Sequence, residues 1–457
     1  MEPKSNSVVS QPKETVRLIS LGCPKNLVDS EVMLGLLQQK GWIPSSKDES
    51  DVVIVNTCSF VREAQEESIE TILTMAAAKE KGKCRRLVVT GCLPQRYGRE
   101  LIAELPEVDL FLGAGEFHRI ADLLEKSAKG ELHQRDFISE PSYLYDHQTP
   151  RLFTTAPGSV YIKISEGCSN CCSYCTIPRI RGKLRSRLLP SILLEAERAV
   201  SRGAREINLI AQDTTAYGRD LGDGTDLVRL LQGLARIGDL RWIRLLYAHP
   251  AHITPGLIGL IREEKKICKY LDLPLQHVDN LLLQAMNRPV SEKDVRELLA
   301  RLREEIPGVT LRTSLMVGFP GETEKKFQKL LEFVREAQFD LLGVFRYSRE
   351  EGTAAAAMKG QVSERIKARR YHEIMRLQKQ ISRQKQKKQI GSRVEVLVER
   401  PGKSSDVLWE GRTRGQAPEV DGITFLTQGS CLPGEIIKAE ITDTTSYDLY
   451  GEVLGPT

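Results

Sequence analysis

The sequence lacks any long apolar segment. No part of its 457 residues approaches the roughly 18 consecutive apolar residues that a membrane-spanning helix needs. The first residues, MEPKSNSVVSQPKETV, contain neither the apolar core of a secretory signal nor the arginine-rich amphipathic pattern of a transit peptide. We therefore predict no targeting segment and no membrane span, and we expect a cytoplasmic protein.

Histidine is absent around the densest group of cysteines in the chain. The sequence has 10 cysteines, which without a secretory signal indicate metal binding in a reducing compartment and not disulfides. Four of them lie within the eight residues Cys168–Cys175, and no histidine is near. This density of thiols predicts a metal site.

Three of these thiols have the spacing C-x3-C-x2-C, at Cys168, Cys172 and Cys175. Three thiolates on one loop can hold three irons of a 4Fe–4S cluster and leave the fourth open to chelate S-adenosylmethionine (SAM). The spacing, with Tyr174 before the last cysteine, resembles the radical-SAM superfamily. A structural zinc site is the alternative, because Cys171 forms a C-x2-C pair with Cys168, although such sites usually have four ligands. We interpret Cys171 as a free thiol.

Three further cysteines each close a short β-branched or aliphatic strand. The segments are RLISLGC, which ends at Cys23, DVVIVNTC, which ends at Cys58, and RLVVTGC, which ends at Cys92. Strands that alternate with helical patterns predict a doubly wound parallel sheet, whose strand C-termini share one edge. We therefore predict a second metal site there. Three buried core cysteines are the alternative, but they would not explain why each one ends a strand. The remaining cysteines are interpreted as structural: Cys84, Cys268 and Cys431.

Longer βα units begin near residue 155. Six plausible strands alternate with amphipathic helical patterns, which predicts a TIM-type barrel or partial barrel with its active site at the C-terminal strand ends. The strands are VYIKIS, EINLIAQD, WIRLLYAH, YLDLPLQ, TLRTSLMVGF and DLLGVFRYS. The cysteine loop follows the first strand, Gln276 ends the fourth and Gly318 follows the fifth, so all are predicted at this mouth. His277 is interpreted as a structural histidine.

The C-terminal part differs from the rest in charge. Residues 359–390 carry 11 Lys and Arg against 2 Glu, whereas residues 391–457 carry 6 Lys and Arg against 11 Asp and Glu. The first range is predicted to be a helix, and the second a small all-β barrel of short strands separated by turns. The basic run is either a solvated helix face or an RNA contact. The acidic module favours a basic protein over tRNA, since phosphate binding requires Lys and Arg.

Eight short motifs are spread along nearly the whole chain. They are SLGCPKNLVDSE, VNTCSFV, TGCLPQR, EGCSNCCSYCTIPRIRG, DLPLQH, VGFPGET, GVFRYSREEGT and GQAPEVDG. Together they resemble the methylthiotransferase family of radical-SAM enzymes. The GCPKN motif at Gly22–Asn26 resembles the corresponding motif of the enzymes that modify ribosomal protein uS12. MiaB-like tRNA enzymes resemble one another in a GCQMN-type motif at this place instead. The departures are the extra Cys171 and Ala354, where proline is usual.

The resemblance implies an α/β protein of three domains. They would be an N-terminal methylthiotransferase domain with a doubly wound parallel sheet over residues 14–140, a radical-SAM partial barrel of six βα units with a basic linker helix over residues 155–385, and a TRAM β-barrel over residues 391–457. It also implies SAM and two 4Fe–4S clusters as cofactors. The ligands would be Cys168, Cys172 and Cys175 for the SAM-cleaving cluster, and Cys23, Cys58 and Cys92 for an auxiliary cluster that carries sulfur. Tyr174, Gln276 and Gly318 would contact SAM.

The implied reaction adds a methylthio group to the β-carbon of an aspartate in uS12, with SAM as both radical source and methyl donor. The implied partners are uS12, free or in the small ribosomal subunit, and an electron donor such as flavodoxin or ferredoxin, with contact to rRNA also open. One alternative is a MiaB-like tRNA methylthiotransferase acting on a modified adenosine. The alternative from another class is a non-catalytic iron–sulfur protein that binds RNA.

Overall fold

The computed structural model describes residues 14–47 and 49–454, which form two compact units. One unit contains the described residues up to Tyr143 together with Gln148–Phe153, and the other contains Leu144–His147 and the described residues from Thr154 onward. The prediction of no targeting segment rests mainly on residues 1–13, which lie outside the described residues. No helix in the described ranges is long and apolar enough to cross a membrane.

A parallel sheet forms the centre of the first unit. The strands described there are β1 (Thr15–Ser20), β2 (Ile43–Pro44), β3 (Val52–Thr57), β4 (Arg86–Gly91), β5 (Leu110–Gly113) and β6 (Asp136–Phe137). The helices are α1 (Pro24–Gln39), α2 (Arg62–Glu80), α3 (Cys92–Tyr97), α4 (Arg99–Glu104) and α5 (Ile120–Ala128). The strand order is β2-β1-β3-β4-β5-β6, and all neighbours are parallel. This confirms the predicted doubly wound sheet.

A second parallel sheet lies in the larger unit. The strands in this part of the chain are β7 (Ser159–Lys163), β8 (Ser165–Glu166), β9 (Arg185–Ser186), β10 (Glu206–Ile210), β11 (Trp242–Leu245), β12 (Ile267–Gln276), β13 (Thr310–Val317) and β14 (Leu341–Arg346). The helices are α6 (Ile177–Arg181), α7 (Leu189–Ser201), α8 (Leu227–Ala235), α9 (Pro255–Glu263), α10 (Asn280–Ala285), α11 (Glu292–Glu305), α12 (Glu324–Ala337) and α13 (Glu364–Lys387). The six-stranded order is β14-β13-β12-β11-β10-β7, with β8 and β9 paired separately. The sheet is open, so the partial-barrel form of the prediction is correct.

The C-terminal strands form a closed barrel in the order β15-β16-β17-β19-β18. They are β15 (Arg393–Pro401), β16 (Trp409–Thr413), β17 (Thr424–Gln428), β18 (Ile436–Thr444) and β19 (Leu449–Val453). Helix α13 precedes the barrel and corresponds to the basic helix predicted from residues 359–390. The predicted all-β module is therefore confirmed.

An ionic core joins the closed barrel to the start of the second parallel sheet. Arg412 donates to Glu206 Oε2 at 2.6 Å, and Arg244 donates to Glu206 Oε1 at 2.9 Å. Burial alone would raise the pKa of Glu206, but the two guanidinium groups outweigh it and lower the pKa to about 2. The Tyr270 hydroxyl donates to Asp421 at 2.7 Å in the same region. Glu206 begins β10, so these contacts lie at the N-terminal strand ends, opposite the predicted active site.

Candidate metal centres

The register of the first sheet brings three predicted ligands to one edge. Ser20 of β1 pairs with Asn56 of β3, which pairs with Thr90 of β4. The cysteines follow these positions by two or three residues, at Cys23, Cys58 and Cys92. Strands β1 and β3 are also where the strand order reverses direction, which is the usual ligand site of such sheets.

Asn26, in the first turn of α1, links the chain segments that carry these cysteines. Its Nδ2 donates to the carbonyl of Leu21 at 3.0 Å and to that of Thr57 at 2.8 Å. Its Oδ1 lies 3.7 Å from the Sγ of Cys92, and its backbone N–H donates to the carbonyl of Cys23 at 2.9 Å. The residue is fully buried, so its amide is a water-excluded donor to both carbonyls. The sequence pattern did not mark Asn26, although it belongs to the GCPKN motif.

Gly22 allows β1 to end against the second cysteine. Its φ is +86°, and a Cβ built there would lie 2.6 Å from the Cβ and 2.9 Å from the Sγ of Cys58. Any side chain at this position would therefore displace a predicted ligand. The backbone of Cys58 is fixed from the other side by Ser68 of α2, which accepts from its N–H at 3.1 Å and donates to its carbonyl at 2.9 Å.

The loop with the second set of predicted ligands follows β8 and is held by backbone hydrogen bonds to three other segments. The Cys168 N–H donates to the carbonyl of Gly182 at 3.0 Å, and the Ser173 N–H donates to that of Met286 at 3.0 Å. The Ala355 N–H donates to the carbonyl of Ser173 at 2.8 Å. Cys168, Cys172 and Cys175 are partly exposed, whereas the extra Cys171 is exposed. The loop is thus positioned without the help of its thiols.

Arg288 is a buried cation beside this loop. It is 8% exposed, and its Nη1 lies 4.0 Å from the Sγ of Cys172. Its other terminal nitrogen contacts the carbonyl of Pro274, and its Nε is buried without a hydrogen-bond partner. No carboxylate pairs with it among the described residues. A buried guanidinium without a counter-charge is costly, so thiolates at the loop would stabilise it. Nothing in the sequence pattern indicated this residue.

Burial raises the pKa of two thiols of the loop, Cys168 and Cys175, and so favours their protonated form. The pKa of Cys168 rises to about 11 and that of Cys175 to about 12. Thiolates are the form that binds metal. Loading this loop with metal therefore releases protons, and anything that stabilises negative charge there favours loading.

The sulfur atoms of the two cysteine sets lie farther apart than the ligand atoms of a single-ion site. In the described residues, the one group of three His, Cys, Asp or Glu ligand atoms within 4.8 Å of one another is Asp213, His249 and His252. The sulfur atoms of neither cysteine set meet that limit, as they would around one zinc ion. Soft thiolate donors suit iron–sulfur clusters, in which each cysteine binds a different iron.

Two of the predicted SAM contacts have distinctive surroundings. The ring of Tyr174 packs edge-on against Phe319, with ring centroids 6.5 Å apart, and burial raises the pKa of the Tyr174 hydroxyl. Gln276 ends β12 with a φ of +71°, a conformation that non-glycine residues rarely adopt and that occurs at functional sites. Their contact with SAM stays a prediction.

The third predicted SAM contact, Gly318, has a packing role. Its φ is +77°, and a Cβ built there would lie 2.2 Å from the Cγ of Lys367 in α13. Its N–H donates to the carboxylate of Glu322. The close approach at this glycine is therefore made by a helix, and contact with SAM remains a prediction. His277 is fully buried, accepts from the Asp279 N–H at 2.9 Å and lies 3.4 Å from Glu322, as expected of a structural histidine.

A cleft of about 290 Å³ adjoins the cysteine loop, and Cys168, Asn170, Asp213 and His252 are among its lining residues. Asp213 follows β10 and accepts from Asn170 Nδ2 at 2.8 Å, and its Oδ2 lies 2.8 Å from His252 Nδ1. Burial alone would raise the pKa of Asp213, but hydrogen bonds from His252 and Thr215 outweigh it and lower the pKa to about 2. Sequence reasoning missed this carboxylate, although it stands just beyond a strand end, as the first three cysteines do.

Comparisons with known proteins agree with this architecture. Family models match residues 15–113 (uncharacterized protein family UPF0004), residues 162–334 (radical SAM superfamily) and residues 390–454 (TRAM domain). The chain is 53% identical over 448 residues to the ribosomal protein uS12 methylthiotransferase RimO of Geobacter sulfurreducens, covering 98% of this chain and 100% of that one. It is 52% identical to RimO of Geotalea uraniireducens, covering 97% and 99%. The chain belongs to the RimO family of methylthiotransferases.

Members of this family are radical-SAM enzymes that use SAM and 4Fe–4S clusters, so the predicted family and cofactors are confirmed. Neither the tRNA enzyme nor the non-catalytic alternative is favoured. A solved radical-SAM methyltransferase, TsrM from Kitasatospora setae, matches with a TM-score of 0.54 at 14% identity, covering 73% of this chain and 75% of that chain. This likeness supports the fold alone.

Proposed function

We propose that this protein adds a methylthio group to the β-carbon of an aspartate in ribosomal protein uS12. The observation that carries the proposal is identity of 53% over 98% of the chain to a uS12 methylthiotransferase. Two separate cysteine triads within that alignment fit the chemistry, one at a sheet edge and one on a loop. A binding protein would have no use for an open iron on the loop.

The roles of the residues follow from their surroundings. Cys168, Cys172 and Cys175 would hold the cluster that binds SAM, and the triad at the sheet edge would hold the auxiliary cluster. When bound, the clusters and SAM supply the radical, the sulfur and the methyl group of the reaction. Arg288 would stabilise the thiolate form of Cys172, because it lies buried beside that sulfur.

The remaining loop contacts keep this geometry fixed. Ser173 is bonded through its N–H to Met286 and through its carbonyl to Ala355, and its Oγ donates to the carbonyl of Ala285 at 2.7 Å. The loop therefore does not need the metal to define its path. Tyr174, Gln276 and Gly318 are proposed as SAM contacts on this frame.

The proposal includes modules, partners and location. The methylthiotransferase, radical-SAM and TRAM modules would span residues 14–140, 155–385 and 391–457. An electron donor such as flavodoxin or ferredoxin would reduce the loop cluster, because the reductive cleavage of SAM consumes an electron. The enzyme would act in the cytoplasm, where its ribosomal substrate is made.

Product analysis by mass spectrometry tests the proposal. The anaerobically reconstituted enzyme would receive SAM, reductant and either uS12 or unmodified tRNA. We expect a methylthio adduct on one aspartate of uS12 and no change in tRNA. An adduct on tRNA alone would overturn the substrate but keep the chemistry, whereas zinc without sulfide in the loaded protein would overturn both.

A further inference from the structure

Helix α13 (Glu364–Lys387) has one face anchored to the partial barrel. Its buried residues include Lys367, Arg370 and Gln378. Lys367 Nζ donates to the carbonyl of Tyr347 at 2.7 Å, and Gln378 Nε2 donates to that of Phe339 at 2.9 Å. Arg370 donates to the carboxylate of Glu322 at 2.9 Å. A third basic residue of the run, Lys385, donates to Asp340 Oδ1 at 2.6 Å, so Lys367, Arg370 and Lys385 anchor the helix.

The opposite face of α13 carries a row of exposed cations, which we call the basic stripe. Its residues are Arg365, Arg369, Arg376, Lys379, Arg383 and Lys387, all exposed. With His372 between them, the positions are three or four residues apart, so at about 100° per residue they fall within roughly 80° of the helix circumference. At about 1.5 Å per residue the stripe is about 33 Å long.

Within the described residues, ion pairs neutralise one of the six cations of the stripe. Arg369 pairs with Glu324 at 2.6 Å and with Glu373 at 2.9 Å. The other five cations have neither a hydrogen-bond nor an ion-pair partner for their side chains in the described residues. An exposed helix usually gains from acids placed three or four residues from its bases. The two acids of α13, Glu364 and Glu373, lie outside the stripe. The like charges of this column repel one another, and an anion from outside the protein would offset that repulsion.

The shape and composition of the stripe select the class of anion. A helix that enters a membrane surface carries a row of apolar residues beside its cations, but Ile374 and Ile381 of α13 are buried against the protein, and Ile366 near the start of the helix is its one exposed large apolar residue. A row of cations about 33 Å long with a single exposed apolar residue beside it suits an extended chain of phosphates. The proposed substrate, uS12, belongs to a particle whose surface is largely RNA.

We propose that the basic stripe binds the phosphate backbone of ribosomal RNA and docks the enzyme on the small ribosomal subunit. This inference rests on the proposed function, because that function supplies the RNA-containing partner. It makes the assembled subunit, and not free uS12, the form in which the substrate is captured most efficiently.

The test replaces the five unpaired cations by glutamine, which keeps helix propensity nearly unchanged. The matched control replaces five exposed cations elsewhere on the same unit whose side chains also have no hydrogen-bond or ion-pair partner in the described residues: Arg202, Arg236, Lys265, Lys325 and Lys403. Binding of each protein to unmodified small subunits is measured over a range of salt concentrations. We expect the stripe variant to lose affinity by about 100-fold near 0.15 M salt, and the slope of log K against log salt to fall by about 3.5 to 4.5, at 0.7 to 0.9 per cation. The control should match the wild type.

Activity provides the second readout. The stripe variant should modify free uS12 within twofold of the wild-type rate and lose activity on subunits. Equal salt slopes for stripe variant and control would overturn the inference, as would equally tight, stripe-dependent binding of the wild type to anionic lipid vesicles. If the wild type modifies uS12 in neither form, the proposed function fails, while the salt slope still decides whether the stripe binds RNA.

Discussion

The two cysteine triads of this protein are constructed in opposite ways. Cys23, Cys58 and Cys92 are 35 and 34 residues apart and meet because three parallel strands are paired in one register. The loop triad lies within eight residues, Cys168–Cys175, and its path is fixed by backbone bonds from neighbouring segments. The first triad therefore depends on the tertiary structure of a whole sheet, and the second on one loop.

The two triads also differ in the charge of the side chain that lies beside them. The sheet-edge triad has a neutral partner, because the amide of Asn26 lies 3.7 Å from Cys92 Sγ. The loop triad has a cationic one, since Arg288 lies 4.0 Å from Cys172 Sγ. A cation stabilises thiolate more than an amide does. The two sites should therefore respond differently to substitutions of ligands and neighbours.

The largest effect is expected from Cys172→Ala. Loss of one of three ligands should abolish SAM cleavage and remove about half of the bound iron, with the sheet-edge cluster retained. Iron and sulfide analysis together with detection of 5′-deoxyadenosine checks this. Loss of all iron would show that the two sites do not assemble independently.

Cys58→Ala should disable the sheet-edge triad and leave the loop triad intact. Because the loop is untouched, SAM cleavage should persist at near the wild-type rate, while transfer of the methylthio group to uS12 should stop. Product mass spectrometry distinguishes the two activities. A variant that still transfers the complete group would refute the sulfur-carrying role of the sheet edge.

Asn26→Ala should weaken the sheet-edge site through its frame. The carbonyls of Leu21 and Thr57 would lose their buried donor, which should cost about 1–3 kcal/mol of unfolding free energy. Denaturant unfolding of the metal-free protein measures this loss, and iron content after reconstitution measures the site. Unchanged stability would mean that water replaces the amide.

Arg288→Gln should shift the loop cluster alone. Removing a buried positive charge should make its midpoint potential more negative by about 60 mV, a tenfold change for one electron. Potentiometry followed by electron paramagnetic resonance reports both clusters, and Arg288→Lys serves as the charge-conserving control. If the potential stays constant while SAM affinity falls, the arginine acts on SAM and not on the cluster.

Cys171→Ser should have the smallest effect. Cys171 is exposed, and its Sγ lies 3.7 Å from the carbonyl of Ser169. Iron content and both activities should stay within about twofold of wild type, because the loop is held by backbone bonds. If this variant failed to form the loop cluster, the ligand assigned to Cys172 would have to be reassigned to Cys171.

Strand ends were predictable from the sequence, whereas the contacts between them were not. The β-branched runs before Cys58 and Cys92 mark the two strands, which end one residue before each cysteine, at Thr57 and Gly91. The fit of Gly22 against Cys58 and the bridging by Asn26 depend on strand pairing, which no local pattern encodes. Arg288 was missed for the same reason, since its burial is a property of the folded mouth.

The formal charge of the C-terminal barrel favoured a protein substrate over tRNA, and the uS12 methylthiotransferase relatives agree with that preference, but the charge count does not describe the surface of the barrel. Several of its acids are paired with arginines and do not form an acidic surface. The pairs are Glu399 with Arg412 at 2.7 Å, Glu410 with Arg400 at 2.5 Å, and Asp421 with Arg312 at 3.3 Å. The sum of formal charges cannot distinguish paired from exposed groups, so the preference for a protein substrate now depends on the relatives.

The ionic core at Glu206 limits how this chain can be recombined. A chimera whose incoming C-terminal barrel lacked an arginine at the position of Arg412 would leave Glu206 with one of its two guanidinium partners. Breaking a buried pair costs about 3–5 kcal/mol, enough to unfold many domains. A barrel exchange should therefore keep both sides of this buried contact, Arg412 in the barrel and Glu206 at the start of β10.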